Sequence, residues 1–315
     1  MYQQIAANKA KSVFTIIFFV LFIGVVGFFI GLLFDYRYGI GSYFSIIILV
    51  IAFVIALIAS FTSYYYSDKI VLQISKAHPI DMETDIRVNY TVEGLSIAAG
   101  IPMPRIYIIE ENGMNAFATG RNPQNGVIVL TRGIISNLND EELKGVISHE
   151  LSHIKNYDIL LGTVVVIFVD MLSIASNIIL RSFLFGGGRR RSNDRSGGGG
   201  ILALVMLVIG LVLIILSPII GSMIRMAISR NREYLADSSG ALISRYPAGL
   251  ANALRKISVY SGVESASSAT SHMFIADPLT KKNKPLLANL FSTHPPIEER
   301  IRRLDEMSLG VGINK

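Results

Sequence analysis

Gly145-Val146-Ile147-Ser148-His149-Glu150-Leu151-Ser152-His153-Ile154 decides how the chain is read, because it joins helical apolar periodicity to a metal-ligand spacing. Histidines four apart on an α-helix share one face, with Cβ atoms roughly 5–6 Å apart, so both imidazoles can reach one ion. Glu150 borders the same face. His-Glu-x-x-His is the arrangement of a zinc hydrolase, in which the carboxylate serves as general base to a zinc-activated water. The plainer alternative is an amphipathic helix with surface histidines. Upstream, Ser136 or Asn139 is placed to cap this helix, and Asp140, Glu141 and Glu142 fall in a first turn that favours negative charge. Leu143, Val146, Ile147, Leu151 and Ile154 form its apolar stripe.

The surroundings are those of a membrane protein. Of 315 residues, 51% are hydrophobic and 17% charged, and the mean hydropathy is +0.50, too apolar for an ordinary soluble enzyme. The net charge of +6 comes from scattered basic residues, which fits membrane topology or anionic lipid better than nucleic acid. With no cysteine, thiolate zinc sites and thiol catalysis are excluded, and any metal must be held by His, Asp or Glu.

In order, a short polar tail carrying Lys9 and Lys11 leads into an uncharged run from Ser12 to Phe34, and a second run spans Tyr43 to Phe61. Each suffices for one crossing, and Tyr36, Tyr38, Tyr43, Tyr64, Tyr65 and Tyr66 sit at their ends as interfacial belts do. Residues 1–66 thus read as a transmembrane helix pair. Residues 67–158 have a soluble composition: a short helix at Thr91–Ala99, strands at Arg105–Ile109 and Val127–Thr131, and Asn115–Gly120 joined to the latter by the turn-rich Arg121–Gly126. Residues 159–224 hold two further apolar runs, Ile159–Phe185 and Ile201–Ile224, around a Gly/Arg-rich loop at Gly186–Gly200. Asp170 in the third run reads as a polar contact between helices. Residues 225–315 are polar again, with helices expected at Ile228–Leu242, Ala248–Tyr260 and Pro296–Met307. The fold class is therefore a mostly α membrane protein with about four transmembrane helices and an α+β catalytic domain holding a small β-sheet.

His153 precedes the third run and Glu233 follows the fourth, so two crossings return them to one membrane face. Zinc needs a third protein ligand, without cysteine a carboxylate or another His, and Glu233 is the choice here, although taken alone it and Asp237 would read as a solvated helix face. Asp237, one turn on, is placed to accept the other ring N–H of a ligating histidine and fix its tautomer. His294 stands before two prolines at the start of the last helix, where it and Arg300 are either a loop–helix pair or donors to the oxyanion of a hydrated carbonyl. His78 and His272 have no partner pattern and read as surface or packing residues.

Together these residues resemble the HtpX-type membrane zinc metalloproteases, gluzincin relatives of the CAAX prenyl endopeptidases, over most of the chain. The carriers are Asn115-Ala116-Phe117-Ala118-Thr119-Gly120, His149-Glu150-Leu151-Ser152-His153 with Asp158 five residues on, Glu233-Tyr234-Leu235-Ala236-Asp237, and Ser292-Thr293-His294-Pro295-Pro296 with Arg300. The resemblance implies a zincin-like catalytic domain with one Zn2+ per chain on His149, His153 and Glu233. It makes Glu150 the base, Asp237 and Asp158 carboxylates that orient the ligands, and His294 and Arg300 transition-state donors. Asn115, Ala116, Phe117 and Ala118 would form an edge strand that pairs with an extended substrate. Neither Gly186–Gly200 nor the basic Lys281–Lys284 is interpreted by it.

The expected activity is peptide-bond hydrolysis in quality control of membrane or misfolded proteins, with polypeptide substrates, a lipid bilayer and no nucleic acid as partners. Lys9 and Lys11 favour a cytosolic start, so a multi-pass protein of the cell inner (plasma) membrane with a cytoplasmic active site is expected; the arginines of Gly186–Gly200 oppose this, and Arg225, Arg230 and Arg232 support it. The competing readings are a non-catalytic zinc-stabilised scaffold or chaperone, which would have no use for Glu150, and a transporter, for which repeated halves are missing.

Overall fold

A computed structural model of the chain describes residues 2–38, 43–81, 83–165, 168, 230–266, 270–278 and 295–310. It divides into two compact units, one of Met1–Ser12, Tyr64–Val166 and Ile224–Lys315 and one of Val13–Ser63 and Ile167–Met223.

Among the described residues, the second unit holds the apolar parts of helices α1 (Tyr2–Tyr38) and α2 (Tyr43–Ile74). Both are long and apolar enough to cross a membrane, α1 over Ile5–Val25 and α2 over Tyr43–Ile74. Phe14, Ile17, Leu21, Ile47, Val54 and Ile58 are exposed, the outward apolar surface that a bilayer would cover. The two helices meet at Gly27 and Gly31, where an added Cβ would lie 2.4 Å from the Ala52 Cβ and 2.5 Å from the Ser45 Cα, the small-residue spacing that lets apolar helices approach closely. Of the four expected spans, these two lie among the described residues; the third is described only over residues 159–165 and 168, and the fourth lies outside them, as do Asp170 and Gly186–Gly200. Both helices outrun their apolar stretches. α1 takes in the polar tail, and α2 continues past Phe61 until Lys76 turns the chain with a φ of 53°.

The first unit carries a four-stranded sheet in the order β1 (His78–Pro79), β2 (Arg105–Ile109), β4 (Val127–Thr131), β3 (Ala116–Thr119). β3 and β4 form the expected hairpin, in register Ala116↔Leu130, and the Asn122 side chain accepts from Asn125 N–H inside its turn. β2 pairs parallel to β4. Helix α3 (Ile86–Ala99) begins five residues before the expected Thr91 and ends at Gly100, whose φ of 69° closes a left-handed cap. After the short α4 (Arg132–Asn137), α5 (Asp140–Lys155) runs through the middle of the unit. Asn139 is its cap: the Asn139 side chain accepts from Glu142 N–H and the Glu142 carboxylate from Asn139 N–H, a reciprocal capping box. Leu143, Val146, Ile147, Leu151 and Ile154 are fully buried, as a stripe at that period requires.

Helices α6 (Arg230–Ser244) and α7 (Pro247–Tyr260) pack on α5, and α8 (Ile297–Ser308) packs on α7 and α6. The α5–α7 crossing needs backbone against backbone: a Cβ on Gly145 would lie 2.4 Å from Leu250 N and 2.7 Å from its Cα. Gly145→Ala must therefore push α7 away. It should lower stability by about 1–3 kcal/mol, read as a fall in the melting temperature of the detergent-purified protein; an unchanged value would show that the crossing has slack.

Candidate metal centre

α5 presents His149, Glu150 and His153 toward α6, because side chains four apart stack on one helix face. α6 comes close at Gly240, where an added Cβ would lie 3.0 Å from His149 N, and this brings Glu233 and Asp237 over the histidines. His149, His153 and Glu233 each offer a ligand atom, all within 4.8 Å of one another. The Nε2 atoms of the histidines are 3.1 Å apart, and Glu233 oxygens lie 3.6 Å from His153 Nε2 and 3.9 Å from His149 Nε2. Ligands about 2.0–2.1 Å from a tetrahedral zinc stand about 3.3 Å from each other. The donor set therefore fits zinc in kind and in spacing.

The far side of each ring completes the fit. His149 Nδ1 is 3.0 Å from Asp237 Oδ1, and His153 Nδ1 is 3.2 Å from Asp158 Oδ2. A carboxylate on Nδ1 fixes the tautomer that leaves an Nε2 lone pair for metal. Asp158 also accepts from Asn8 Nδ2 at 2.6 Å.

Arg300, 1% exposed, lies below the histidines. Its Nε and Nη2 donate to the two Asp237 oxygens at 2.9 and 2.7 Å, and Nη1 donates to Ile275 O at 2.9 Å. Burial alone would raise Asp237, but the Arg300 charge and the hydrogen bonds from His149 and Arg300 hold its carboxyl down at about 2.

Glu150 is the opposite case. It is 2% exposed, and burial, helped by the nearby Glu233 charge, pushes its carboxyl up to about 7. The Ala118 backbone N–H of β3 faces it. Thr131 N–H donates to Asn115 O at 3.0 Å, so by antiparallel alternation Ala116 and Ala118 turn their backbone groups away from β4, toward the outer edge of the sheet. Part of that edge is engaged within the chain. Ile275 N–H donates to Ala116 O at 2.8 Å, and Asn115 Oδ1 accepts from Ala116 N–H at 3.1 Å. Phe117 and Phe274 meet edge to face with ring centroids 4.9 Å apart.

A cleft beside Glu150 is lined by Ala118, His153, Asp158, Glu233, His272 and Met273, among others. His272, which the sequence suggests as surface or packing, is buried in this lining; an isolated histidine in Ser271–Met273 carries no spacing that would reveal it. Asn8 is equally silent in sequence, an amide in a polar tail far from the motif. His78 is exposed and pairs with Glu110. His294 and Lys281–Lys284 lie outside the described residues. The structure thus brings together His149, Glu150, His153, Glu233, Asp237, Asp158, Arg300 and the strand Asn115–Ala118.

Comparison with known proteins places the sequence in a family. The sequence profile of Peptidase family M48 matches residues 83–308. The chain is 42% identical over 309 residues to a protease HtpX homolog of Dictyoglomus turgidum, covering 97% of this chain and 94% of that one. It is 47% identical over 263 residues to a protease HtpX homolog of Syntrophobacter fumaroxidans, covering 82% and 89%. Among solved structures, S. mikatae Ste24p is similar at 18% identity with a TM-score of 0.45, over 97% of this chain and 67% of that one. At such coverage and identity the sequence relationship is one of descent: the chain belongs to Peptidase family M48, as a membrane metalloprotease of the HtpX kind.

Proposed function

We propose that the chain is an integral-membrane, zinc-dependent endopeptidase with one Zn2+ on His149, His153 and Glu233 and with Glu150 as general base. The observation that carries this reading is the trio of ligand atoms within 4.8 Å beside a buried carboxylate whose proton affinity is tuned to about 7, near the working pH of a general base. When bound, zinc supplies a Lewis acid for the water and the scissile carbonyl. Glu150 takes the proton of the attacking water and returns it to the leaving amine. Ala118 N–H faces the Glu150 carboxylate, and Asp237 and Asp158 hold the two imidazoles. The resemblance suggests Arg300 as an oxyanion donor; its contacts with Asp237 and Ile275 O favour a positioning role through Asp237. His294 is left as the oxyanion donor, on the resemblance alone.

The substrate is an extended polypeptide laid along the β3 edge at Asn115–Ala118, drawn from membrane or misfolded proteins in quality control. The protein is multi-pass in the cell inner membrane, with its site facing the cytoplasm. A closed structural zinc site on a scaffold is disfavoured, since such sites take four protein ligands and need no adjacent base.

Glu150→Gln should keep its zinc and lose nearly all cleavage of casein or a quenched peptide, at least about a hundredfold; full turnover in this variant would sink the mechanism. In the metal-free protein, burial opposes charge on His153, but the Asp158 hydrogen bond and the Glu233 charge outweigh it and raise the ring to about 9. Zinc must displace that proton, so affinity should be highest above about pH 9 and fall by about tenfold per unit below it. Chelator competition between pH 7 and 9 reads this, and a flat profile would contradict it. For the orientation, a tag ahead of α1 should resist protease added outside sealed right-side-out vesicles; its removal would place the site on the other face.

A further inference from the structure

The polar start of α1 reaches the metal centre. Asn8, 5% exposed, directs its amide at the turn between α5 and the helical residues from 158 onward. Nδ2 donates to Asp158 Oδ1 at 2.6 Å and to Asn156 O at 3.0 Å, so both amide hydrogens are used. The other Asp158 oxygen, Oδ2, is the one 3.2 Å from His153 Nδ1. The two oxygens thus face different partners, and the plane of the carboxylate is set by both. Arg232 Nε stands 3.6 Å from Oδ1, beyond a direct hydrogen bond, which leaves Asn8 as the close donor on that oxygen among the described residues.

The turn itself needs holding. Tyr157 has a φ of 59°, a left-handed conformation that a bulky residue keeps only when its surroundings enforce it. Lys9 Nζ sits 4.2 Å from the centre of the Tyr157 ring, and Ser12 Oγ donates back to Asn8 O at 3.0 Å. Asn8 and Lys9 therefore clamp the turn that delivers Asp158. A neutral amide suits the position: it orients the carboxylate without adding a second positive charge to that of Arg232 beside it.

We propose that Asn8 is a positioning residue of the metal centre, holding Asp158 on His153, so that the first helix is a working part of the zinc site as well as an anchor. The proposal rests on the reading that His153 ligates zinc. It differs from mere docking of α1, because docking would act on stability and not through Asp158.

The test is a double-mutant cycle on the full-length, detergent-purified protein, with zinc affinity read by competition against a chromophoric chelator and the melting temperature of each metal-free variant recorded alongside. Asn8→Ala should weaken zinc binding by about tenfold, the low end for partners that orient a ligand. Asp158→Ala should weaken it at least as much, and adding Asn8→Ala to Asp158→Ala should cost nothing further. Asn8→Asp keeps the shape but replaces the donor with a carboxylate facing Asp158, so it should be no better than Asn8→Ala and serves where the alanine variant does not fold. Wild-type affinity in either Asn8 variant, or independent and additive losses in the cycle, would overturn the proposal. His153→Ala separates the two levels: zinc retained at wild-type affinity there overturns the assignment of the metal centre itself and this proposal with it, whereas zinc lost there with Asn8 variants unaffected overturns only the role of Asn8.

Discussion

The catalytic unit is assembled around a buried guanidinium. A charge with 1% of its surface exposed is tolerable only if it is paired and hydrogen-bonded, and Arg300 meets that demand by drawing on three separate parts of the chain. Asp237 of α6 receives it through two parallel hydrogen bonds, Ile275 O from the segment beside β3 receives a third, and His149 of α5 lies against its edge. None of these partners can be withdrawn cheaply, because the one left behind would be a buried charge without its complement. The last helix is thus bound to α6 by electrostatic necessity, although 63 positions separate Arg300 from Asp237.

The same cluster sets two carboxylates to opposite tasks. Asp237, against Arg300, stays ionised far below neutrality, while Glu150, buried beside Glu233, holds its proton up to about 7. Environment alone leaves one carboxylate ionised and the other protonated up to neutrality, the kind of separation that acid–base sites exploit.

What sequence could reveal depended on range. The α5 stripe, its Asn139 cap and the two-histidine spacing are local, and each is found in place; so is the β3–β4 hairpin, whose turn residues declare it. The placement of Glu233 and Asp237 beside the histidines was legible through chemistry, since without cysteine a third ligand had to be acidic or another histidine. The parallel β2–β4 pairing was not legible, because parallel strands carry no turn signal between them. His272 and Asn8 were hidden for a different reason: each depends on tertiary proximity, and neither belongs to a periodic pattern. The continuation of α1 and α2 beyond their apolar runs shows the limit of hydropathy, which marks where a helix meets oil and not where its backbone stops.

The short outer edge of β3 has a consequence for what the enzyme can hold. Ala116 already has partners on both its N–H and its carbonyl, and the Ala118 N–H faces Glu150. A chain entering here must trade for contacts that exist, and it can bargain only with backbone groups that are themselves unspent. A native helix or sheet has spent them. On the proposed reading, such an edge would sort polypeptides by how much of their main chain is idle.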